Sequence, residues 1–289
     1  MNMRKIFLVF LISLALCVSI HAEESQLPQQ FEGFNLSGIS EGGQKTWDIE
    51  GDSADIIGDL IKLTNIVANA YGEEPANLTA EYGTLDKASG KMHLEKDVVI
   101  TTKDGAKLTT DTLDWERNED LVHTDDRVVL TKEGMVATGT GAVGHPNLKM
   151  AQLNENVQVD IETKSDDGSK GKVTITCDGP LEMEYNNQKA TFNDNVVAVD
   201  GDRKIIADKI EAFFDTKTNQ IKEMVCTGNV SIIQGQNNTF SDRAVYNAVD
   251  KKLTLSGNPK LIFYTEGDSL PFGQTDEAET EGETKVETP

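Results

Sequence analysis

The sequence predicts an all-β protein made of stacked two-strand repeats. Three observations carry this: an apolar period of two, a motif pair that recurs along the chain, and a polar turn between the paired segments. The period shows in Met92, Leu94, Val98 and Ile100, in Val157, Val159 and Ile161, and in Leu253, Leu255, Leu261 and Phe263. Alternation of this kind marks strands with one buried face.

The first recurrent stretch reads LTAEYGTL from 78, LTTDTLDW from 108, VATGTGAV from 136, ITCDGPLE from 175, IIADKIEA from 205 and TFSDRAVY from 239. A small residue occupies a shared column: Ala80, Thr110, Thr138, Cys177, Ala207 and Ser241. An acid usually follows it. Ala54-Asp55 heads an earlier, seventh copy. The second stretch carries a polar residue and then Ile66, Val98, Val128, Val157, Val196, Val230 or Pro259. Turn signals such as DKASGK, ERNED and DTKTNQ separate the strands. One copy cannot bury its apolar face alone, so copies must stack. Seven rungs at a strand spacing of ~4.8 Å predict a trough roughly 30 Å long.

The ends read differently. Residues 1–22 have a basic start at Arg4 and Lys5, then an apolar run over 6–20, with Ala22 before Glu23. This is the pattern of a cleaved signal peptide, and the run is shorter than a membrane span needs. Residues 23–45 are expected to be a flexible lead-in. The halves 46–161 and 173–264 are expected to be the folded parts, joined by the loop 162–172. Residues 265–289 are acidic and poor in large apolar groups, so a disordered tail is expected there.

Charge excludes one class of partner. The net charge of -22 becomes more negative when Arg4 and Lys5 leave with the signal peptide. Such a chain repels nucleic acid phosphates. Export permits a disulfide between Cys177 and Cys226, and two buried thiols that never meet are the alternative.

Motifs for other chemistry do not find their context. Gly139, Gly141 and Gly144 spell G-x-G-x-x-G, but the strand pattern LKMAQLNENVQVDI follows them where a dinucleotide site needs a helix. They read as part of a strand, and no cofactor is expected. His93 and His123 share a repeat column and are expected to be neighbours on adjacent rungs, facing solvent. Two histidines fall short of the three or four ligands of a zinc site. The acids sit in turns and in one column, where a solvated outer face accounts for them. No nucleophile elbow or HExxH constellation is present, so no catalytic residue and no metal ligand is assigned.

Two stretches carry a family resemblance. DTLDWERNEDLVHTDDRVVLTKEGMVATGTGAVGHPNLKMAQLNENVQV, residues 111–159, is similar to the LptC type. ADKIEAFFDTKTNQIKEMVCTGNVSIIQGQNNTFSDRAVYNAVDKKLTLSGNPKLIF, residues 207–263, is similar to the LptA type. Over about residues 46–264 the chain resembles the periplasmic lipopolysaccharide-transport proteins, the LptA/LptC (OstA-like) family. The resemblance implies a β-jellyroll, a V-shaped trough of stacked antiparallel strands in the periplasm. It further implies that the trough holds the acyl chains of lipopolysaccharide. The partners it implies are other jellyrolls of the bridge, joined through end strands, and an inner-membrane ABC transporter. Docking edges are expected in the first rung, near 46–70, and the last, near 239–264.

The residues expected to line the trough are Val98, Ile100, Val128, Leu130, Val157, Val159, Val196, Val230 and Ile232. Leu78, Leu108, Val136, Ile175 and Ile205 are expected opposite them. Two other readings stay open. One is a structural or adhesive β-solenoid at the cell surface, with a filled core and no lipid. The other is a polysaccharide-cleaving enzyme on a β-helix, which would need acids and bases clustered on one face.

Overall fold

The computed structural model describes residues 29–71, 75–145, 148–164, 170–215 and 221–262. The signal peptide expected at 1–22 and the tail expected at 265–289 lie outside the described residues. The fold is an all-β jellyroll with antiparallel ladders and, among the described residues, no α-helix. Its first strands are β1 (Gln29–Ile39), β2 (Lys45–Ile57), β3 (Leu60–Ala70), β4 (Ala76–Asp86), β5 (Lys91–Thr102), β6 (Lys107–Glu116), β7 (Leu121–Lys132) and β8 (Met135–His145). Then come β9 (Met150–Lys164), β10 (Lys170–Cys177), β11 (Gly179–Glu184), β12 (Lys189–Asp200), β13 (Arg203–Phe214), β14 (Ile221–Gln234), β15 (Asn237–Asn247), β16 (Lys252–Ser256) and β17 (Lys260–Ile262).

The chain divides into two compact units. The first runs through Glu133 and includes Thr140–Leu148; the second takes Gly134–Gly139 and the chain from Lys149. By compactness the division therefore falls near 149, ahead of the 162–172 loop. The loop expected at 162–172 is shorter than that: β9 extends to Lys164, β10 starts at Lys170, and the two pair from Lys170↔Lys164 inside the second unit.

The lead-in requires a correction. Residues 29–39 form strand β1, which pairs with β2 from Gln29↔Ile56 to Ile39↔Lys45. Most of its side chains are exposed, so backbone hydrogen bonds and a few contacts hold it. Phe34 packs on the core of the first unit. Trp47 lies over Gly38, where an added Cβ would sit 2.1 Å from the indole nitrogen. An exposed segment held through its backbone carries no strong period-two signal. The first rung is therefore β1, outside the 46–70 segment.

The repeat columns meet across the ladders. Ile66 faces Ala80, Val98 faces Thr110, Val157 faces Cys177, Val196 faces Ala207, and Val230 faces Ser241. In each of these five pairs a large aliphatic opposes a small residue, and all ten are buried. Alternating large and small partners fill space without voids or overpacking. The seventh copy is offset: Ala54 opposes Leu63, one level away from Ile66.

The polar residue before the aliphatic column also has a structural cause. Asn65, Asp97, Asn156, Asn195 and Asn229 all have positive φ, between 47° and 53°. Asn and Asp tolerate this left-handed geometry better than most residues. At Lys96-Asp97, Asp194-Asn195 and Gly228-Asn229 the register slips, so each is a β-bulge. Across each kink the buried parity changes, as from Ala207 to Ile210 in β13 and from Thr110 to Leu113 in β6.

Candidate functional site

Each unit has an interior made of parallel rows of side chains. In the first unit, Leu63, Ile66, Leu94 and Val98 are 0–1% exposed and form a dry core. Beyond it the row through Ile49, Ala68, Leu78, Ile100, Leu108 and Leu130 is continuous across β2 to β7. Ile49 is buried, and the other five are half-buried. Water therefore reaches a strip of apolar side chains along five consecutive strands. The strip contains no polar side chain.

The second unit repeats the plan. Val157, Val196 and Val230 are buried with Leu181, Phe192 and Ile210. A row through Val159, Ile175, Ala198, Ile205 and Ile232 lies beside them.

The expected lining residues therefore fall into three groups. Val98, Val128, Val157, Val159, Val196, Val230 and Ile175 are buried core. Leu78, Ile100, Leu108, Leu130, Ile205 and Ile232 are half-buried and form the accessible rows. Leu78, Leu108, Ile175 and Ile205 are not across a gap from the others: each is the hydrogen-bonded neighbour of Ile100, Leu130, Val159 or Ile232. Val136 is a correction. It is 41% exposed, because β8 turns Ala137, Gly139 and Gly141 to the buried side. A Cβ on Gly139 would meet the Leu153 side chain and the Glu155 carbonyl at 3.3 Å. The glycine of the fingerprint thus permits close packing in a strand.

The two thiols are buried and free. Cys177 opposes Val157 while Cys226 opposes Ile210 and Ala244, and no disulfide joins them. Burial pushes both thiols up to about 11, so they stay protonated at neutral pH. They serve as small apolar groups.

Outside the rows, ionisable groups pair on the surface. His93 and His123 are separated by Asp114, which stands opposite both. His93 Nδ1 lies 2.7 Å from Asp114 and its Nε2 lies 3.0 Å from Glu95. No group of three or more metal-ligating side chains occurs among the described residues. Of the column acids, Asp111, Asp178, Asp208 and Asp242 are exposed while Asp55 and Glu81 are half-buried, and several have a specific partner. Asp178 accepts a hydrogen bond from Asn195 at 2.6 Å, and Asp208 accepts from Asn229 at 2.9 Å.

A site of this kind has apolar area and a dry floor, and among the described residues no group of metal-ligating side chains assembles on it. It is suited to holding hydrocarbon. The family comparison decides the affiliation. The model described as lipopolysaccharide-assembly, LptC-related, matches residues 11–162, more than half of the chain. The chain belongs to the LptC-related family. A second model, described as LptA/(LptD N-terminal domain) LPS transport protein, matches residues 174–281. Together they place the chain in the lipopolysaccharide transport bridge family, a family of transport proteins. The LptC-related match ends at 162 and the LptA/LptD match begins at 174. No curated protein matches the chain.

Proposed function

We propose that this LptC-related chain holds the acyl chains of lipopolysaccharide against the half-buried interior rows and passes them along the periplasmic bridge. The observation that carries the proposal is the apolar strip Ala68–Leu78–Ile100–Leu108–Leu130, accessible over five strands above a dry core. Each methylene transferred to such a surface contributes ~0.8 kcal/mol, so a few chains bind without a cationic clamp. That matters for a strongly acidic protein and an anionic lipid. The chain receives lipid from an inner-membrane ABC transporter complex, which supplies the energy. It docks to neighbouring bridge jellyrolls through its end strands, β1 of the first unit and β16 with β17 of the second. Leu253 of β16 and Leu261 of β17 are 46% and 49% exposed, as suits an edge that pairs with another strand.

A photo-crosslinking amino acid at Ile100, irradiated in living cells, tests this. A lipopolysaccharide adduct is expected at Ile100 and not at Val99, which alternates to the other face. No adduct at Ile100, Leu78 or Leu108 overturns the proposal. The second reading, a structural solenoid, is favoured by the full burial of Val98, Val128 and Val196. That same negative result would select it.

A further inference from the structure

In the second unit one interior row changes character along its length. Val159 faces Ile175, Ile175 faces Ala198, Ala198 faces Ile205, and Ile205 faces Ile232. Val159 and Ile175 are 4% and 5% exposed, whereas Ile205 and Ile232 are half-buried. The row continues through Thr239 to the exposed Leu261. Side-chain size does not explain the change, since Ile175 and Ile232 are the same residue in the same row.

The next inward position toward the hairpin tips does differ. On β9 and β10 it is Ile161 opposite Val173. On β13 and β14 it is Arg203 opposite Gln234, both exposed. β9 and β10 thus run on with an apolar pair where β13 and β14 end in polar groups. The β9 extension is also anchored: the Glu162 N–H donates to the Gly134 carbonyl at 2.7 Å. Arg203 instead turns to Asp200 at 2.6 Å, leaving the β13–β14 end without an apolar cover.

We infer that the second unit takes acyl chains over Ile205 and Ile232 on β13–β15, and that the Ile161–Val173 pair closes the row over Val159 and Ile175 against lipid. The inference rests on the reading of the interior rows as the lipid-holding surface. It gives the second unit one loading stretch and one closed stretch, with the boundary between β12 and β13.

The test places a photo-crosslinking residue singly at Ile100, Ile175 and Ile232 of the full chain. Each protein is incubated with purified lipopolysaccharide, and its folding is checked by circular dichroism. Ile205 replaces Ile232, and Val159 replaces Ile175, if either substituted chain fails to fold. Adducts are expected at Ile100 and Ile232, with Ile175 about tenfold lower, as closure by the half-buried Ile161–Val173 pair implies. Ile161→Asn is expected to bring Ile175 up toward the level of Ile232. Equal adducts at Ile175 and Ile232 in the unmodified background overturn the closure and leave the lipid-holding reading intact. An adduct at Ile100 alone removes the second unit as a lipid site and overturns the inference. Adducts at none of the three overturn the inference and the underlying reading together.

Discussion

The Asn229 amide donates to both oxygens of Asp208, at 3.1 and 2.9 Å, across β13 and β14. It does so from a left-handed backbone, φ 47°, just after Gly228 at φ 77°. A Cβ at Gly228 would come within 2.2 Å of Asp208 Oδ2. This bulge thus places a glycine, an amide and the aliphatic Val230 where the β12 bulge places Asp194, Asn195 and Val196.

This order predicts a ranking. Gly228→Ala pays the left-handed penalty and the collision, and is expected to cost more than about 2 kcal/mol. Asn229→Ala pays the backbone penalty and one exposed hydrogen bond, about 1–2 kcal/mol. Asn229→Gly keeps the geometry and should cost less than either. Urea unfolding of the three variants measures this. If Asn229→Gly is the worst, the hydrogen bond outweighs backbone geometry and the account is wrong.

Val196, 0% exposed, directly opposes Ala207, 2% exposed. Val196→Ala opens a void and is expected to cost about 2 kcal/mol. Ala207→Val overfills the same layer and should cost about 1–3 kcal/mol. The double exchange restores the large–small sum, so it should cost clearly less than the two single costs added. A double-mutant cycle in urea checks this, and simple additivity would refute the idea that the two columns share one space.

His93 gives a pH dependence. Its hydrogen bond to Asp114 raises its pKa above 6.5, burial opposes this in part, and Glu95 adds to the rise. A histidine held more strongly when protonated stabilises the fold below its unfolded pKa. That contribution disappears as pH climbs through the raised, folded value. Relative to His93→Gln, the natural chain should therefore lose stability on going from about pH 6 to about pH 8. Urea midpoints of both proteins across that range decide it. Parallel curves would mean that solvent screens the Asp114 contact out, as its partly exposed position allows.

Much of the fold was legible because the repeat imposes the same pairing many times. The aliphatic and small columns were both visible as columns, and the structure joins them face to face. The bulges were not read, although Asn or Asp before each aliphatic was their signal. Missing them hid the change of buried parity within a strand. It also hid why Val98 belongs to the dry core while Ile100 reaches solvent. Val136 failed for a different reason. In VATGTGAV the small residues permit two registers, and the one that buries Ala137 and Gly139 leaves the larger Val136 outside. An apolar residue is not obliged to be buried. β1 escaped because backbone pairing, which any composition supports, does most of the holding.

The alternation of large and small columns constrains how such a chain can grow or shrink. A strand bearing the aliphatic always has a strand bearing the small residue beside it. Inserting a single strand would set valine against valine in a layer spaced for valine against alanine, and would also reverse the chain direction of everything beyond it. Length can change only by whole hairpins, each adding about 10 Å along the stack. Under the bridge reading proposed above, duplication of one hairpin would lengthen a unit by that step without altering its end strands.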